Sequence, residues 1–248
     1  MPGNNKIYEL STGESVNSLT GFRSPIDEYR AAFTDRTQLF LNYYTFQDRN
    51  ALKRTLTRGE FWDLACSAAA YLSDQGLSKG DRIVHGFSSN TLSDLVFRLA
   101  AVLVGCVPVT INWQADDNEQ IVYKVELTNA KLMVFDEGFA SRVEAIKPGL
   151  STIRFIEASK IEGYHIANRS TYPELGYADE KMITFTSGTT GKPKGVSLSH
   201  RSYLANKLTF EKYFNMSEST QLDLLLVNPL HHTNSSALAD WGMRRGGA

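Results

Sequence analysis

Apolar side chains recur along much of the chain with the spacing of amphipathic helices. Thr57-Arg58-Gly59-Glu60 matches the S/T-x-x-E capping box, and apolar residues then return every three or four positions as far as Gly76. A similar series follows Asn90, whose side chain is suited to cap a helix. Further helices are predicted at 119–127, 139–146 and 200–214. The pattern therefore predicts several helices, each with one buried face.

Short apolar runs separate these helices and are typical of buried strands. They lie at 83–87, 106–111, 131–135, 152–157, 182–185 and 222–227. Strands that alternate with helices of this length imply βαβ crossovers and a largely parallel sheet. We therefore predict a layered α/β fold with flanking helices.

Two polar stretches interrupt this alternation. Residues 1–24 are rich in Gly, Ser and Asn and are expected to form a polar arm, so that the folded domain spans 25–248. Residues 158–180 are also polar, with one proline and two glycines, and are expected to connect two lobes. No repeat or low-complexity tract is found.

The composition excludes several classes of protein. The 248 residues are 42% hydrophobic and 21% charged, and 26 Lys and Arg nearly balance 27 Asp and Glu. Such a balance gives no general reason to expect nucleic acid or an anionic membrane as a partner. No signal peptide or transmembrane segment is recognised, so a cytoplasmic location is expected. Cys66 and Cys106 lack metal-site spacing and are expected in the core.

The segment Thr184–Val196, with the sequence TFTSGTTGKPKGV, carries the strongest chemical signal. Three glycines, four threonines and two lysines directly follow a predicted strand. Glycines let backbone N–H groups face a phosphate, hydroxyls donate to its oxygens, and lysines supply positive charge. The nucleotide-triphosphatase P-loop does not fit, because Gly188 and Gly191 are too close together and Pro193 follows Lys192. A flexible basic surface loop is the plain alternative.

FTSGTTGKPKG resembles the phosphate loop of the adenylate-forming, or AMP-binding, superfamily. That superfamily includes acyl-CoA synthetases, luciferases and the adenylation domains of peptide synthetases. Its pattern is an aromatic residue followed by T-S-G-[ST]-T-G-x-P-K-G, and every fixed position is filled here. The segments at 55–90 and 99–112 are also similar to the family. So is Asn228-Pro229-Leu230-His231-His232, which resembles the segment beside the acyl carboxylate.

The resemblance implies a role for each position of the loop. Hydroxyls and backbone N–H groups would bind the phosphates of ATP, and Lys194 would stabilise the charge of the departing pyrophosphate. Thr189 would lie close to Mg²⁺, whereas Lys192 fills a variable position and is expected to be a solvent-exposed charge. The candidate ATP-binding residues are Thr186, Ser187, Gly188, Thr189, Thr190, Gly191, Lys192, Pro193, Lys194 and Gly195.

The histidine pair adds a second candidate site. His232 matches the acyl-site histidine of the family and is a catalytic candidate together with Lys194, while His231 is equally able to pack beside it. The two adjacent histidines lack the spacing and the further ligands of a zinc site.

The implied reaction is the activation of a carboxylic acid. Family members form an acyl-adenylate from the acid and ATP, with Mg²⁺ as cofactor, and transfer the acyl group to a thiol, which is coenzyme A or a carrier-protein thiol. The segment 228–232 has no carboxylate to hold the ammonium group of an amino acid, which favours an acyl-CoA synthetase over a peptide-synthetase adenylation domain.

The sequence also suggests an incomplete N-terminal AMP-binding domain. The family's adenine-binding and ribose-binding segments and its small C-terminal domain, which carries the catalytic lysine, are not found before Ala248. We therefore expect the chain alone to be inactive. The alternatives are a non-catalytic nucleotide-binding fragment or a peptide-synthetase-type fragment. Self-association through an exposed apolar face is a further expectation.

Overall fold

The structure, a computed structural model, describes residues 20–47, 50–161, 171–186, 192–217 and 220–245. Within these residues, the order of the strands in a six-stranded sheet is β6-β5-β3-β4-β7-β8. The strands from β3 to β7 pair in parallel, and β8 joins β7 in the antiparallel sense. A separate antiparallel hairpin is formed by β1 and β2. The strands are β1 Leu39–Gln47, β2 Asn50–Thr57, β3 Arg82–Gly86, β4 Val107–Thr110, β5 Leu132–Phe135, β6 Arg154–Glu157, β7 Glu180–Thr186 and β8 Lys194–Ser199.

Helices cover both faces of this sheet, and the predicted α/β architecture is confirmed. The α-helices are α1 Pro25–Ala32, α2 Arg58–Asp74, α3 Leu92–Val104, α4 Asn118–Thr128, α5 Ala140–Ile146, α6 His200–Tyr213 and α7 Thr233–Arg245. Short 3₁₀ helices lie at Glu137–Phe139, Lys147–Gly149 and Ala158–Ile161. In the ranges given above, no helix has the length and apolar character needed to cross a membrane.

Side chains alternate between the two faces of each central strand. Ile83 packs with α2 and α3, whereas its neighbour Val84 packs with α4 and α5. Both side chains are fully buried, as expected for a parallel sheet covered on both faces. The two cysteines, Cys66 and Cys106, are buried in the α2–α3 layer and are not joined in a disulfide, which confirms the prediction that they lie in the core.

Side-chain caps define where the helices begin. At α2 the predicted capping box is present: Thr57 N donates to Glu60 Oε2 at 2.7 Å, and Glu60 N donates to Thr57 Oγ1 at 3.2 Å. At α3 the predicted cap, Asn90, is wrong, because Thr91 accepts the hydrogen bond from Asp94 N.

Asn90 instead joins the start of α3 to the segment before α7. Its Nδ2 donates to Asn228 O, and its Oδ1 accepts a bond from Leu230 N, both at 2.8 Å. These bonds explain the error: an asparagine before a helix has the right chemistry for a cap, but here both of its amide atoms are bound to a distant segment.

Other errors of the sequence prediction also have physical causes. The run at 222–227 belongs to no strand of the described part of the chain. Leu222, Leu224 and Leu226 line an apolar hollow, while Leu225 and Val227 are exposed. The apolar run therefore indicated that part of this segment is buried, but not that it pairs with a strand. The hairpin β1–β2 and strand β8, largely exposed, were not predicted.

A buried network of ion pairs joins α1, β7, α6 and α7. Lys181 Nζ lies 2.7 Å from Asp240 Oδ1, and Arg244 binds both Asp240 and Glu28. Lys207 completes the network through Glu28 Oε1 at 2.8 Å. Burial lowers the pKa of Lys181 to about 8 despite the nearby Asp240 carboxylate, which shows how far this network is removed from water.

We predict that Arg244→Met lowers the free energy of unfolding by about 3–5 kcal/mol, because it leaves two buried carboxylates short of a cation. Urea denaturation measures the loss. The matched control is Arg36→Ala, which removes an ion pair with Asp63 at the protein surface and should cost about 1 kcal/mol or less. Equal losses in the two variants would contradict the importance of the network.

Candidate functional site

The candidate site lies where the parallel strands end. Thr186 ends β7, and its partner in the antiparallel ladder is Lys194, the first residue of β8. The loop between them therefore connects two neighbouring strands at the carboxyl end of β7, which is where open α/β sheets place their ligand sites. Of the candidate phosphate-binding residues, Ser187, Gly188, Thr189, Thr190 and Gly191 lie outside the described residues. Their roles, including the Mg²⁺ contact of Thr189, stay predictions.

The remaining loop residues form the base of this hairpin. Lys194 is exposed opposite Thr186, while Pro193 is half-buried and Gly195 is exposed. The Lys192 side chain is exposed as expected, but its ammonium lies 5.0 Å from the centre of the Tyr123 ring on α4. Such a cation–π contact at an exposed site contributes about 0.5–1 kcal/mol. Lys192 therefore has a partner and is not simply a solvated charge.

Helix α4 also supports the strand that leads into the loop. The Lys124 ammonium lies 4.7 Å from the centre of the Phe185 ring and pairs with Asp116. Lys124 is buried, and burial lowers its pKa although Asp116 favours the charged form. The residue just before Thr186 is thus held by a buried cation.

The two histidines of the 228–232 segment occupy different environments. His232 is exposed and leads into α7, because Ser236 N donates to its carbonyl oxygen at 3.0 Å. The His231 ring is buried, 4.4 Å from the His232 ring and 6.3 Å from the Trp113 ring, centre to centre. Burial, reinforced by His232, lowers the pKa of His231 to about 4. His231 is therefore neutral near pH 7. The catalytic role of His232 stays a prediction.

Behind His231 lies a charged group that was not recognised in the sequence. His85 Nδ1, at the end of β3, is 2.8 Å from Asp94 Oδ1, and Arg98 Nε donates to the same oxygen at 2.8 Å. Burial alone would raise the pKa of Asp94, but Arg98 and His85 lower it to about 2. The one sequence signal was the i, i+4 spacing of Asp94 and Arg98 on α3, which is common on helices.

Comparison with known proteins identifies the family of the chain. The AMP-binding enzyme family matches residues 31–248. The chain belongs to this family. Among its relatives, the mitochondrial medium-chain acyl-CoA ligase of Homo sapiens is 28% identical over 217 residues, covering 71% of the chain and 34% of the relative. A nonribosomal peptide synthetase of Gibberella zeae is 27% identical over 166 residues, covering 66% of the chain and 2% of the synthetase.

Solved structures of the AMP-binding fold resemble this one. O-succinylbenzoate coenzyme A synthetase of Bacillus subtilis, in complex with AMP, has a TM-score of 0.73 at 18% identity. The match covers 89% of the chain and 54% of the synthetase, and at this identity it shows the fold alone. The chain thus spans about a third of the length of the acyl-CoA ligase relative and about half of this solved structure.

The neutral state of His231 predicts a pH dependence of stability. A histidine whose pKa is lowered by folding takes up a proton first in the unfolded chain, so acidification from about pH 6.5 to about pH 4 favours unfolding. We expect His231→Phe to lose less stability than the wild type over this interval. Urea denaturation at a series of pH values measures the difference. The control, Leu103→Ala, should lower stability without changing this slope, and a His231→Phe curve parallel to that of the wild type would contradict the prediction.

Proposed function

We propose that this AMP-binding enzyme chain contributes to the ATP-dependent activation of a carboxylic acid, followed by thioester formation with coenzyme A. The observation that carries the proposal is the pairing of Thr186 with Lys194 at the carboxyl end of β7, at the two ends of a loop with the full phosphate-loop pattern. The acyl-CoA ligase relative supports the reaction class.

The proposed chemistry has two steps. A carboxylate oxygen of the acid attacks the α-phosphorus of ATP, the bond from that phosphorus to the bridging oxygen breaks, and pyrophosphate leaves. The thiol sulfur of coenzyme A then attacks the acyl carbon, its proton is lost, and AMP leaves. Lys194 stabilises the charge of the departing pyrophosphate, and Thr186 helps to fix the phosphates at the mouth of the loop. His232 is exposed and is proposed to contact the acid.

Mg²⁺ is proposed to bind together with the phosphates of ATP, near the hydroxyl of Thr189. Magnesium at nucleotide sites is usually held by substrate phosphates and few protein ligands. In the part of the chain that the structure describes, no group of three His, Cys, Asp or Glu side chains is placed to hold a metal ion. The described residues therefore fit a cation that is carried mainly by the phosphates. A cytoplasmic location and self-association stay predictions from the sequence.

A peptide-synthetase adenylation domain is the second candidate, favoured by the match to the Gibberella zeae synthetase. Its amino-acid substrate carries an ammonium group that needs an anionic partner. In the segment before α7, Pro229 to His232 supplies imidazoles and no carboxylate. Asp94, which lies behind His231, is already paired with Arg98 and His85. A plain carboxylic acid is therefore the better fit.

The two loop lysines should differ in their effect on phosphate binding. We expect Lys194→Ala to weaken the binding of pyrophosphate and ATP by about tenfold or more, since contacts to charged groups contribute about 1.5–3 kcal/mol. Lys192→Ala should cost less, because the Lys192 ammonium contacts Tyr123. Isothermal titration at two salt concentrations measures both effects. The control, Lys212→Ala, alters an exposed lysine at the end of α6 and should change nothing.

We also predict that the 248-residue chain alone shows carboxylate-dependent ATP–pyrophosphate exchange near background. Loss of one preorganised group that stabilises transition-state charge costs about 10²- to 10³-fold in rate, and the 248 residues span 34% of the length of the acyl-CoA ligase relative. Isotope exchange measures the rate, with an intact acyl-CoA ligase as the positive control. Robust exchange by the chain alone would overturn this prediction, whereas measurable ATP binding without exchange would support it.

A further inference from the structure

A small polar pocket lies beside His231, where β3 and β4 end. Its polar and aromatic lining includes His85, Ser89, Asn90, Thr110, Trp113 and His231. The pocket has room for a group about the size of one water molecule. It is close to the phosphate-loop side of the sheet, because Thr184 of β7 donates to the carbonyl oxygen of His231 at 3.4 Å.

Three buried nitrogen atoms at this pocket have no hydrogen-bond partner among the described residues. They are Nε2 of His85 and both ring nitrogens of His231. Because the Asp94 carboxylate is an acceptor, His85 Nδ1 carries the proton that it donates, and Nε2 keeps its lone pair. A neutral His231 has one N–H donor and one acceptor nitrogen. The two rings thus offer both a donor and acceptors.

The charges around the pocket cancel. Arg98 directs its guanidinium to Asp94, to Leu230 O at 3.0 Å and to Ser236 Oγ at 3.0 Å. Burial lowers the pKa of both His85 and His231, so neither ring is a cation near pH 7. A second carboxylate or an ammonium group would therefore enter without a counter-charge. A hydrocarbon group would leave the ring nitrogens without partners, which is also unfavourable.

We propose that this pocket receives a hydroxyl group of the acid substrate, so that the enzyme selects short hydroxylated carboxylic acids over acids that end in a methyl group or a second carboxylate. A hydroxyl group both donates and accepts, and therefore matches the lone pair of His85 Nε2 and the N–H of His231. The proposal rests on the proposed function, because it takes the acid to lie beside His232, whose ring is 4.4 Å from that of His231.

Matched acids test this selectivity by direct binding. The probes are 4-hydroxybutanoate and 6-hydroxyhexanoate, their methyl-ended counterparts pentanoate and heptanoate, and glutarate and pimelate, which end in a second carboxylate. Each is titrated into the protein in the presence of ATP while the imidazole resonances of His85 and His231 are followed by NMR. We expect at least one hydroxy acid to bind about tenfold or more tightly than its methyl-ended counterpart and to shift both sets of resonances.

Two variants locate the preference. His231→Phe should abolish the preference, because the ring then lacks both nitrogens. Ile146→Val removes one methylene group from the core at α5, outside the lining of the pocket, and should leave the preference unchanged. If His231→Phe fails to fold, the shifts of the His85 and His231 resonances in the wild-type protein still show whether the hydroxyl group enters the pocket. Equal binding of the hydroxy acid and the methyl-ended acid in both pairs would overturn the proposal. It would also be overturned if the histidine resonances did not shift, because the pocket would then hold only a water molecule.

The outcomes separate this inference from the proposed function. Binding of plain and hydroxylated acids without preference, with ATP also bound, removes the hydroxyl subsite and leaves acid activation standing. A hydroxy-acid preference in a protein that shows no ATP binding removes the proposed function and leaves the pocket assignment standing.

Discussion

The buried ion network fixes the position of α7, and the candidate site depends on that helix. Lys181 of β7 and Glu28 of α1 hold Asp240 and Arg244 in an environment from which water is excluded. Removing such charges from water is costly, so the arrangement is stable only when every partner is in place. Because His232 accepts a hydrogen bond in the first turn of α7, a displacement of the helix would displace the histidine pair as well.

A second charged group holds the other end of the same helix. Arg98, on α3, binds the carbonyl oxygen of Leu230 and the hydroxyl of Ser236, and its charge is balanced by Asp94. The helix is thus held near its start by α3 and towards its end by α1 and β7. This double attachment holds the segment in which the His231 ring lies beside the Trp113 ring.

Much of the fold was predictable because parallel strands that are buried on both faces leave a continuous apolar run. Ile83 and Val84 illustrate this, since they face opposite helical layers and are both apolar. Exposed strands have a weaker hydrophobic pattern in the sequence. In β8 the first residues, from Lys194 to Ser197, face solvent, and Gly195 disfavours a strand by propensity. The prediction of a strand at 222–227 fails for a different reason, because an apolar run indicates burial without showing which strand, if any, pairs with it.

The site was predictable only where its residues are consecutive. The phosphate loop is one unbroken motif, and so its two ends, Thr186 and Lys194, could be named from the sequence. His85, by contrast, lines the same pocket as His231 only because β3 ends beside the segment before α7. No spacing along the chain indicates that these two residues are close together. Burial then decides which of the two neighbouring histidines is enclosed. Adjacent residues of one type can therefore lie in different environments: the His231 ring is buried 6.3 Å from the Trp113 ring, centre to centre, whereas His232 is exposed.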